Sequence, residues 1–478
     1  MPIKIMSAAT LSIYLKRKLL LSSEITAMLL AHIERSDKSL GAYITVTADA
    51  ARKKAGEIDK AREAGENLGK LAGIPFALKD NIMTKGIRTT CASRMLENFV
   101  PVYDAAVYGK LSAGGGVLLG KTNMDEFAMG STTANSYFKK TKNPYDTSRV
   151  PGGSSGGAAA AVAEGMAVYA LGSDTGGSVR QPAAFCGCVG MKPTYGRVSR
   201  YGLIAFASSL DQIGPITRDV YDNALVLSSI CGKDERDATS VGESEDFTAG
   251  IDSGVKGLRI GIPDEFFAGN VEKGVSDRVM SAARELEKLG AELVRVRFSS
   301  LEYALPAYYV ISSAEASSNL ARFDGVRFGH RAKEFSDIDE LYSKSRSEGF
   351  GDEVKRRIML GTFALSAGYY NEYYKKAVAA KMLVNGDFAA AFEVCDLILT
   401  PTTPTVAYRF DERRDPVSEY IGDIFTVPAS LAGLPAMSVP FGKVNGLPVG
   451  VQLIGKKFDE KTLYRVGCAL EKAGEELE

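Results

Sequence analysis

Apolar residues recur along this chain with two periods, one typical of helices and the other of strands. In the first part of the chain the predicted elements are two helices within residues 8–37, a strand at Ala42–Val46 and a charged helix at Ala48–Gly65. Ser22 or Ser23 is expected to cap the second helix, because either hydroxyl precedes its apolar series. We therefore expect residues 1–65 to form a helical N-terminal extension that packs on a main domain of residues 66–478.

In residues 66–478, short apolar runs typical of buried strands alternate with helical stretches. Such strands are predicted at Met166–Leu171, Leu258–Ile262, Ala291–Phe298, Leu397–Thr400 and Ala436–Val439. Val275–Leu289 is predicted as a helix between two of them, which gives a β-α-β unit on one sheet. Asn445-Gly446 favours a type I′ turn and predicts a hairpin over residues 441–455. Because no low-complexity tract separates these elements, we expect one large α/β domain, in which a mixed central sheet is flanked by helices.

The composition narrows the classes of function. The 478 residues are 45% hydrophobic, and lysine plus arginine equals aspartate plus glutamate, with 58 of each. No overall field therefore attracts nucleic acid or an anionic membrane. The chain has no apolar run of about 18 residues and no signal-peptide pattern, so no membrane association is expected. Six scattered cysteines fit a cytoplasmic protein, and Cys186 and Cys188 are spaced too closely for a zinc site, so no metal is expected.

The segment Pro151–Arg180 has the strongest chemical signal. Two serine–glycine clusters, 152–157 and 172–178, flank an alanine-rich run that is predicted as helix. Glycines allow backbone N–H groups to approach a ligand, and a serine beside such groups resembles a nucleophile next to an oxyanion site. The candidate hydroxyls are those of Ser154 and Ser155 in the first cluster and of Thr175 and Ser178 in the second. A phosphate-binding loop would need a lysine directly after the last glycine, and neither cluster has one.

A nucleophilic serine needs a base, and histidine is scarce in this chain. The two histidines, His32 and His330, are predicted on a helix face and on the surface, so a Ser-His-Asp triad is disfavoured. Lysine is the other candidate if burial lowers its pKa. The apolar strand pattern in Gly73–Asn81 places Lys79 at its polar end, although a lysine in such a position is usually solvated.

A second glycine motif, Gly115–Thr122, satisfies the expression of a nucleotide-binding P-loop. A helix-like stretch precedes it, however, and Val117–Leu119 has a strand pattern inside the supposed loop. This order is the reverse of strand, loop and helix in a true P-loop. We therefore interpret the motif as a helix-to-strand connection, with an ATP-binding protein built on Lys121 as the alternative from another class.

Three motifs together resemble the amidase signature family, in order and in separation, and the similarity extends over nearly the whole chain. They are Gly73–Asn81, Gly152–Gly157 and Gly172–Ala183. The resemblance implies a Ser–cis-Ser–Lys triad in which Ser178 attacks and Lys79 is the base. Ser154 would relay the proton between them and would itself be held by a cis peptide at its own nitrogen. The implied oxyanion hole consists of the backbone amides around Thr175, Gly176 and Gly177.

Other stretches resemble the members of this family that hydrolyse glutamine as one component of a tRNA-dependent amidotransferase. They are Gly120–Thr133, Ser312–Asp324, Gly349–Gly361 and Ile421–Pro428. By that resemblance, Arg357 would bind the α-carboxylate of glutamine and Asp423 its α-ammonium. The pocket would be lined by Met129 and Tyr309. Two adjacent residues remain alternatives within these assignments: Arg356 for Arg357, and Tyr308 for Tyr309.

The same resemblance implies how the ammonia is used. It would pass to a second subunit that binds ATP, Mg²⁺ and Glu-tRNA(Gln), while a small third subunit braces the complex and Gln-tRNA(Gln) is the product. No cofactor is expected in this chain. The alternative is a free-standing amidase of the same family that acts on small or aryl amides. Whether Asn-specific tRNA is also served is left open by the sequence.

Overall fold

One large mixed β-sheet forms the centre of the protein. The structure is a computed structural model that describes residues 6–268, 271–412 and 419–475. Within those residues the sheet has eleven strands, in the spatial order β1-β3-β2-β4-β6-β5-β10-β11-β9-β7-β8. The strands are β1 Tyr43–Val46, β2 Pro75–Lys79, β3 Val117–Thr122, β4 Tyr169–Asp174, β5 Val189–Lys192, β6 Gln212–Thr217, β7 Arg259–Pro263, β8 Glu292–Val296, β9 Leu397–Pro401, β10 Ala436–Val444 and β11 Leu447–Gly455.

Helices flank this sheet. Those in the described residues are α1 Ala8–Lys16, α2 Ser22–Leu40, α3 Ala48–Glu63, α4 Ala106–Ala113, α5 Gly156–Ala163, α6 Arg180–Phe185, α7 Val220–Ile230, α8 Lys273–Lys288, α9 Leu301–Asn319, α10 Ile338–Gly349, α11 Asp352–Leu365, α12 Tyr374–Val394, α13 Val427–Leu431 and α14 Glu460–Glu475. Short 3₁₀ turns lie at Arg94–Leu96, Glu126–Ala128, Asp264–Phe266, Leu320–Arg322 and Ile421–Asp423. Among the residues described, no helix combines the length and apolar character needed to cross a bilayer.

The strand directions confirm the predicted mixed sheet. β2 runs parallel to β3 and β4, and β7 runs parallel to β8 and β9, whereas the remaining pairs are antiparallel. The predicted β-α-β unit is β7-α8-β8. The predicted hairpin is β10-β11, whose turn residues Asn445 and Gly446 have φ values of 52° and 79°, as a type I′ turn requires.

The first 65 residues contribute α1, α2 and α3, and also one strand of the main sheet, because β1 pairs antiparallel with β3. The division into an extension and a main domain stays a prediction. The predicted serine cap of α2 is wrong, since the helix begins at Ser22 itself. The carboxylate of Asp59 on α3 instead accepts from the backbone N–H groups of Ser22 and Ser23, at 2.7 and 3.0 Å. A cap supplied by another helix leaves no local pattern in the sequence.

Three apolar clusters lie in the described residues, and two of them are large. The larger one contains the buried alanines of α5 together with residues of β2, β3, β4, α7 and α8. The second contains residues of α12 and of α9, among them Tyr308 and Tyr309 on α9, together with Met129. Because α9 packs against both α11 and α12, Tyr309 on α9 lies next to Arg357 on α11. The candidate site is found where these helices approach the turn between β4 and α6.

Candidate active site

Lys79 is the last residue of β2, and its side chain is completely buried. Its Nζ lies 2.7 Å from Oγ of Ser154 and 3.1 Å from the carbonyl oxygen of Ser173. Burial lowers the pKa of Lys79 from 10.5 to about 7, although the nearby carboxylates of Asp125 and Asp174 act in the opposite direction. A substantial fraction of this amine is therefore uncharged near neutral pH, as a base requires.

Ser154 sits in the predicted cis arrangement, because the Gly153–Ser154 peptide bond is cis. A Cβ at Gly153 would lie 2.0 Å from Oδ2 of Asp125, so only glycine fits at this position. The N–H of Gly153 donates to Oε1 of Gln181 at 2.8 Å, and the carbonyl of Ser154 accepts from the N–H of Asp125 at 3.3 Å. The backbone on both sides of the Ser154 hydroxyl is thus held by hydrogen bonds.

Ser178 lies in the turn between β4 and α6. Its carbonyl accepts from the N–H of Ser155 at 3.1 Å, which places the turn directly against the Ser154–Ser155 segment. The residue is 8% exposed, whereas Lys79 and Ser154 are 0% exposed. Of the three predicted triad residues, Ser178 is therefore the one that a ligand can reach. The structure joins the side chains of Lys79 and Ser154 directly, and it connects Ser178 to the adjacent Ser155 through the backbone.

Asp174 and Arg180 organise the turn that carries Ser178. The carboxylate of Asp174 accepts from the N–H groups of Gly177 and Val179, at 2.8 and 3.2 Å, and from Nη2 of Arg180 at 2.9 Å. Burial alone would raise the pKa of Asp174, but the adjacent guanidinium outweighs it and the pKa falls below its usual value. Arg180 also donates to the carbonyl of Thr426 at 2.9 Å, which ties the turn to the segment that carries Asp423.

The three backbone amides of the predicted oxyanion hole differ in their hydrogen bonds. The Gly177 N–H donates to Oδ1 of Asp174 at 2.8 Å. The N–H groups of Thr175 and Gly176 donate to no other group among the described residues. A Cβ at Gly176 would lie 2.5 Å from Cζ of Tyr308, so this tyrosine packs directly against the turn.

The two candidate arginines differ in burial. Arg357 is 3% exposed, and its Cζ lies 4.4 Å from the ring centre of Tyr309. The side chain of Arg356 is 47% exposed. Arg357 and Tyr309 are thus the pair brought together next to the site, while Tyr308 borders Gly176 instead. Within the described part of the chain, Nη1 of Arg357 is buried and has no hydrogen-bond partner.

Asp423 lies in the 3₁₀ turn Ile421–Asp423, and only 7% of it is exposed. Burial raises the pKa of its carboxyl to about 7, while a 2.6 Å hydrogen bond from Oγ of Ser131 and the charge of Arg357 act to lower it. Met129, two residues before Ser131, is fully buried in the same apolar cluster as Tyr309. Asp423, Arg357 and Tyr309 therefore lie close together, and Met129 belongs to the same apolar cluster as Tyr309.

Sequence reasoning missed several residues that shape the site. Asp174, Arg180 and Gln181 lie within the glycine-rich motif, but their functions become visible only when their partners are known. Gln181 donates from Nε2 to the carbonyl of Ser131 at 3.0 Å and accepts from Gly153, so it links the pocket to the cis peptide. Their position inside the motif was the only available signal.

The alternative residues have structural roles elsewhere. Nε2 of His32 contacts the carbonyl oxygen of Glu164 at 2.9 Å, and His330 pairs with Glu348 at 2.7 Å. Lys121 lies inside β3, buried, and donates to the carbonyl of Ile82 and to Thr89, at 2.6 and 2.7 Å. The P-loop expression thus ends within a strand, which confirms its rejection from the sequence.

Comparison with known proteins gives consistent matches. A family model described as Amidase matches residues 24–464. A glutamyl-tRNA(Gln) amidotransferase subunit of Caldanaerobacter subterraneus subsp. tengcongensis is 57% identical over 454 residues, covering 95% of this chain and 93% of that protein. Its counterpart in Staphylococcus haemolyticus is 53% identical over 473 residues, which cover 98% of each chain.

Solved structures also match. The crystal structure of the same subunit from Thermotoga maritima has a TM-score of 0.83 at 46% identity, covering 99% of this chain and 95% of that one. A bacterial aryl acylamidase of the amidase signature enzymes has a TM-score of 0.88 at 28% identity, covering 99% and 97%.

Proposed function

The chain belongs to the amidase family, and on that premise we propose that it is the amidase-type subunit of a glutamyl-tRNA(Gln) amidotransferase and hydrolyses glutamine. The observation that carries this proposal is the buried contact of 2.7 Å between Nζ of Lys79 and Oγ of Ser154 beside the accessible Ser178. The relatives that are named for this enzyme match over nearly their whole length, which favours this function over a free-standing amidase.

The proposed reaction begins with proton transfer. When Lys79 is neutral, its Nζ accepts the proton of the Ser154 hydroxyl, and Ser154 in turn takes the proton of Ser178. Oγ of Ser178 then bonds to the side-chain carbonyl carbon of glutamine. The negative oxygen that results is stabilised by the N–H groups of Thr175 and Gly176.

The tetrahedral intermediate then collapses. Its C–N bond breaks as the relay returns the proton to the leaving nitrogen, so that ammonia departs and a glutamyl ester remains on Ser178. A water molecule loses a proton to the same relay and attacks the ester carbon. The C–O bond to Ser178 breaks, glutamate leaves, and Ser178 regains its proton.

Substrate selection is proposed to rest on the two charged groups of the pocket. Nη1 of Arg357 is buried and has no partner among the described residues. It suits a carboxylate, because guanidinium and carboxylate groups match in geometry. Asp423 is suited to an ammonium, provided that its carboxyl is ionised. Together they favour an α-amino acid amide over a simple amide.

The ammonia is proposed to be consumed in a complex. The relatives are named as one subunit of a glutamyl-tRNA(Gln) amidotransferase, which supports a multi-subunit assembly. We expect a second subunit to bind ATP, Mg²⁺ and Glu-tRNA(Gln), a small third subunit to brace the assembly, and the complex to work in the cytoplasm.

The test uses the full chain co-purified with its native partners. We expect release of ammonia from glutamine, and conversion of Glu-tRNA(Gln) to Gln-tRNA(Gln) when ATP and Mg²⁺ are present. The isolated chain is assayed in parallel on glutamine and on anilides. Rapid anilide hydrolysis by the isolated chain, with no transamidation by any purified assembly, would instead identify a free-standing amidase.

A further inference from the structure

One carboxylate oxygen of Glu353 accepts hydrogen bonds from two residues next to the pocket. Glu353 lies in the first turn of α11, one turn before Arg357. Its Oε1 accepts from Nε of Arg357 at 2.7 Å and from the hydroxyl of Tyr420 at 2.8 Å. The side chains of Glu353 and Arg357 are only 11% and 4% exposed, so these bonds are little weakened by solvent.

The bond to Nε determines how Arg357 faces the pocket. A guanidinium is planar, and fixing its Nε fixes the directions of both terminal nitrogens. One of them, Nη1, is buried and lacks a partner among the residues that the structure describes. The rings of Tyr309 and Tyr420, with centres 4.4 and 4.8 Å from Cζ, restrict the guanidinium further. Nη1 is thereby held in a fixed direction and keeps its hydrogen-bonding capacity free with respect to the described residues.

The bond to Tyr420 connects Glu353 to the other half of the pocket. Tyr420 directly precedes the 3₁₀ turn Ile421–Asp423 that carries the carboxylate of Asp423. Its ring stacks on Tyr309 with the centres 4.0 Å apart. One carboxylate on α11 therefore joins the helix that supplies Arg357 to the turn that supplies Asp423.

We propose that Glu353 is a positioning residue that sets the spacing between the carboxylate-binding Arg357 and the ammonium-binding Asp423, and so confers selectivity for an α-amino acid amide. The inference rests on the proposed glutaminase function. Glu353 touches neither the substrate nor the triad in this arrangement; it acts through Arg357 and Tyr420.

The chain offers variants that separate the bonds of Glu353. Glu353→Ala removes both bonds, while Glu353→Gln keeps an acceptor oxygen and is the conservative rescue. Tyr420→Phe deletes only the hydroxyl and leaves the ring on Tyr309. Lys355→Gln is the matched control, because Lys355 lies on the same helix and pairs with the exposed Asp352 instead of Glu353.

The experiment compares glutamine with γ-aminobutyramide, which is glutamine without its α-carboxylate, on the intact complex. For Glu353→Ala we expect KM for glutamine to rise about tenfold or more, as loss of a hydrogen bond to a charged group implies, with kcat within about twofold. Its kcat/KM for γ-aminobutyramide should fall clearly less than its kcat/KM for glutamine, because that substrate lacks the carboxylate that Arg357 binds and keeps only the ammonium that Asp423 binds. Glu353→Gln and Tyr420→Phe should have KM values for glutamine between those of Glu353→Ala and the wild type, and Lys355→Gln should match the wild type.

Two results would overturn the inference. An equal fall for both substrates would mean that Glu353 acts only on the fold, and an unchanged KM for glutamine would mean that Arg357 does not need it. A wild-type complex that fails to prefer glutamine over γ-aminobutyramide would overturn the proposed function itself, and this inference with it.

Discussion

The carboxylate of Asp174 and the guanidinium of Arg180 form a fully buried ion pair, with Oδ1 and Nη2 2.9 Å apart, on either side of Ser178 in the sequence. The carboxylate also accepts two backbone N–H groups of the intervening turn. Arg180 in addition donates to the Gln452 side chain on β11 at 2.7 Å. The position of Ser178 thus depends on a pair of charges that has no contact with water.

Replacing Asp174 should damage both stability and rate. Asp174→Asn leaves the guanidinium of Arg180 buried without its counter-charge, a change that costs about 3–5 kcal/mol in comparable buried pairs. We expect a lower urea midpoint, and a lower kcat for glutamine because the turn that carries Ser178 loses its anchor. The control is Glu372→Gln, which breaks the exposed pair with Lys376 and should leave the midpoint where it was. A midpoint equally unaffected in Asp174→Asn would contradict this role.

The three triad residues should behave as one unit. Lys79→Met, Ser154→Ala and Ser178→Ala are each expected to lower kcat for glutamine by about a thousandfold or more, and the double variant Lys79→Met/Ser178→Ala should be no slower than Ser178→Ala. Ammonia release by the complex under saturating glutamine measures this. Losses that multiply in the double variant would indicate independent roles and exclude a relay.

The rate should increase with pH through neutrality. Lys79, with its pKa lowered to about 7 by burial, must be neutral, and Asp423, with its pKa raised to about 7 by burial, must be ionised; both conditions are reached as the pH rises. For glutamine we expect kcat/KM to depend on both groups. For glutaramate, which is glutamine without its α-ammonium, the dependence on Asp423 should disappear and leave a shallower rise. An acidic optimum for either substrate would rule out a neutral lysine base.

The buried lysine should also leave a signature in stability. In the unfolded chain Lys79 has its ordinary pKa of 10.5, so unfolding takes up a proton at pH values between about 7 and 10.5. Stability therefore rises with pH in that window. Lys79→Met has no amine to titrate at this position. The free energy of unfolding of the wild type should therefore increase relative to that of the variant between about pH 7 and about pH 9. Urea titrations at both pH values test this; parallel changes in the two proteins would mean that Lys79 is not held neutral.

The sequence predicts well those features that are encoded locally. The type I′ hairpin follows from Asn445 and Gly446, and the rejection of the P-loop follows from the strand pattern around Lys121, because neighbouring residues decide both. The cis peptide before Ser154 and the contact with Lys79 came from family resemblance. Neither follows from periodicity.

Features that depend on distant partners were not accessible in this way. The cap of α2 comes from Asp59, so the predicted serine cap failed for lack of the partner. The hydrogen bond from the Gly177 amide to Asp174 also has no signal in the local sequence. The choice between Arg356 and Arg357 likewise needed burial, since adjacent residues of one type are equivalent in a motif. Glu353 gave no signal at all, because its significance lies in joining α11 to a turn far along the chain.

The most direct test of the catalytic assignment is to identify the residue that becomes acylated. The complex is mixed with glutamine, quenched in acid during turnover, digested and analysed by mass spectrometry, with Ser178→Ala treated in parallel. We predict a glutamyl ester on the wild-type peptide that contains Ser178, removable by hydroxylamine, and no such ester in the variant. A glutamyl adduct on a different residue of the wild type, or sustained glutamine turnover in Ser178→Ala, would contradict the assignment.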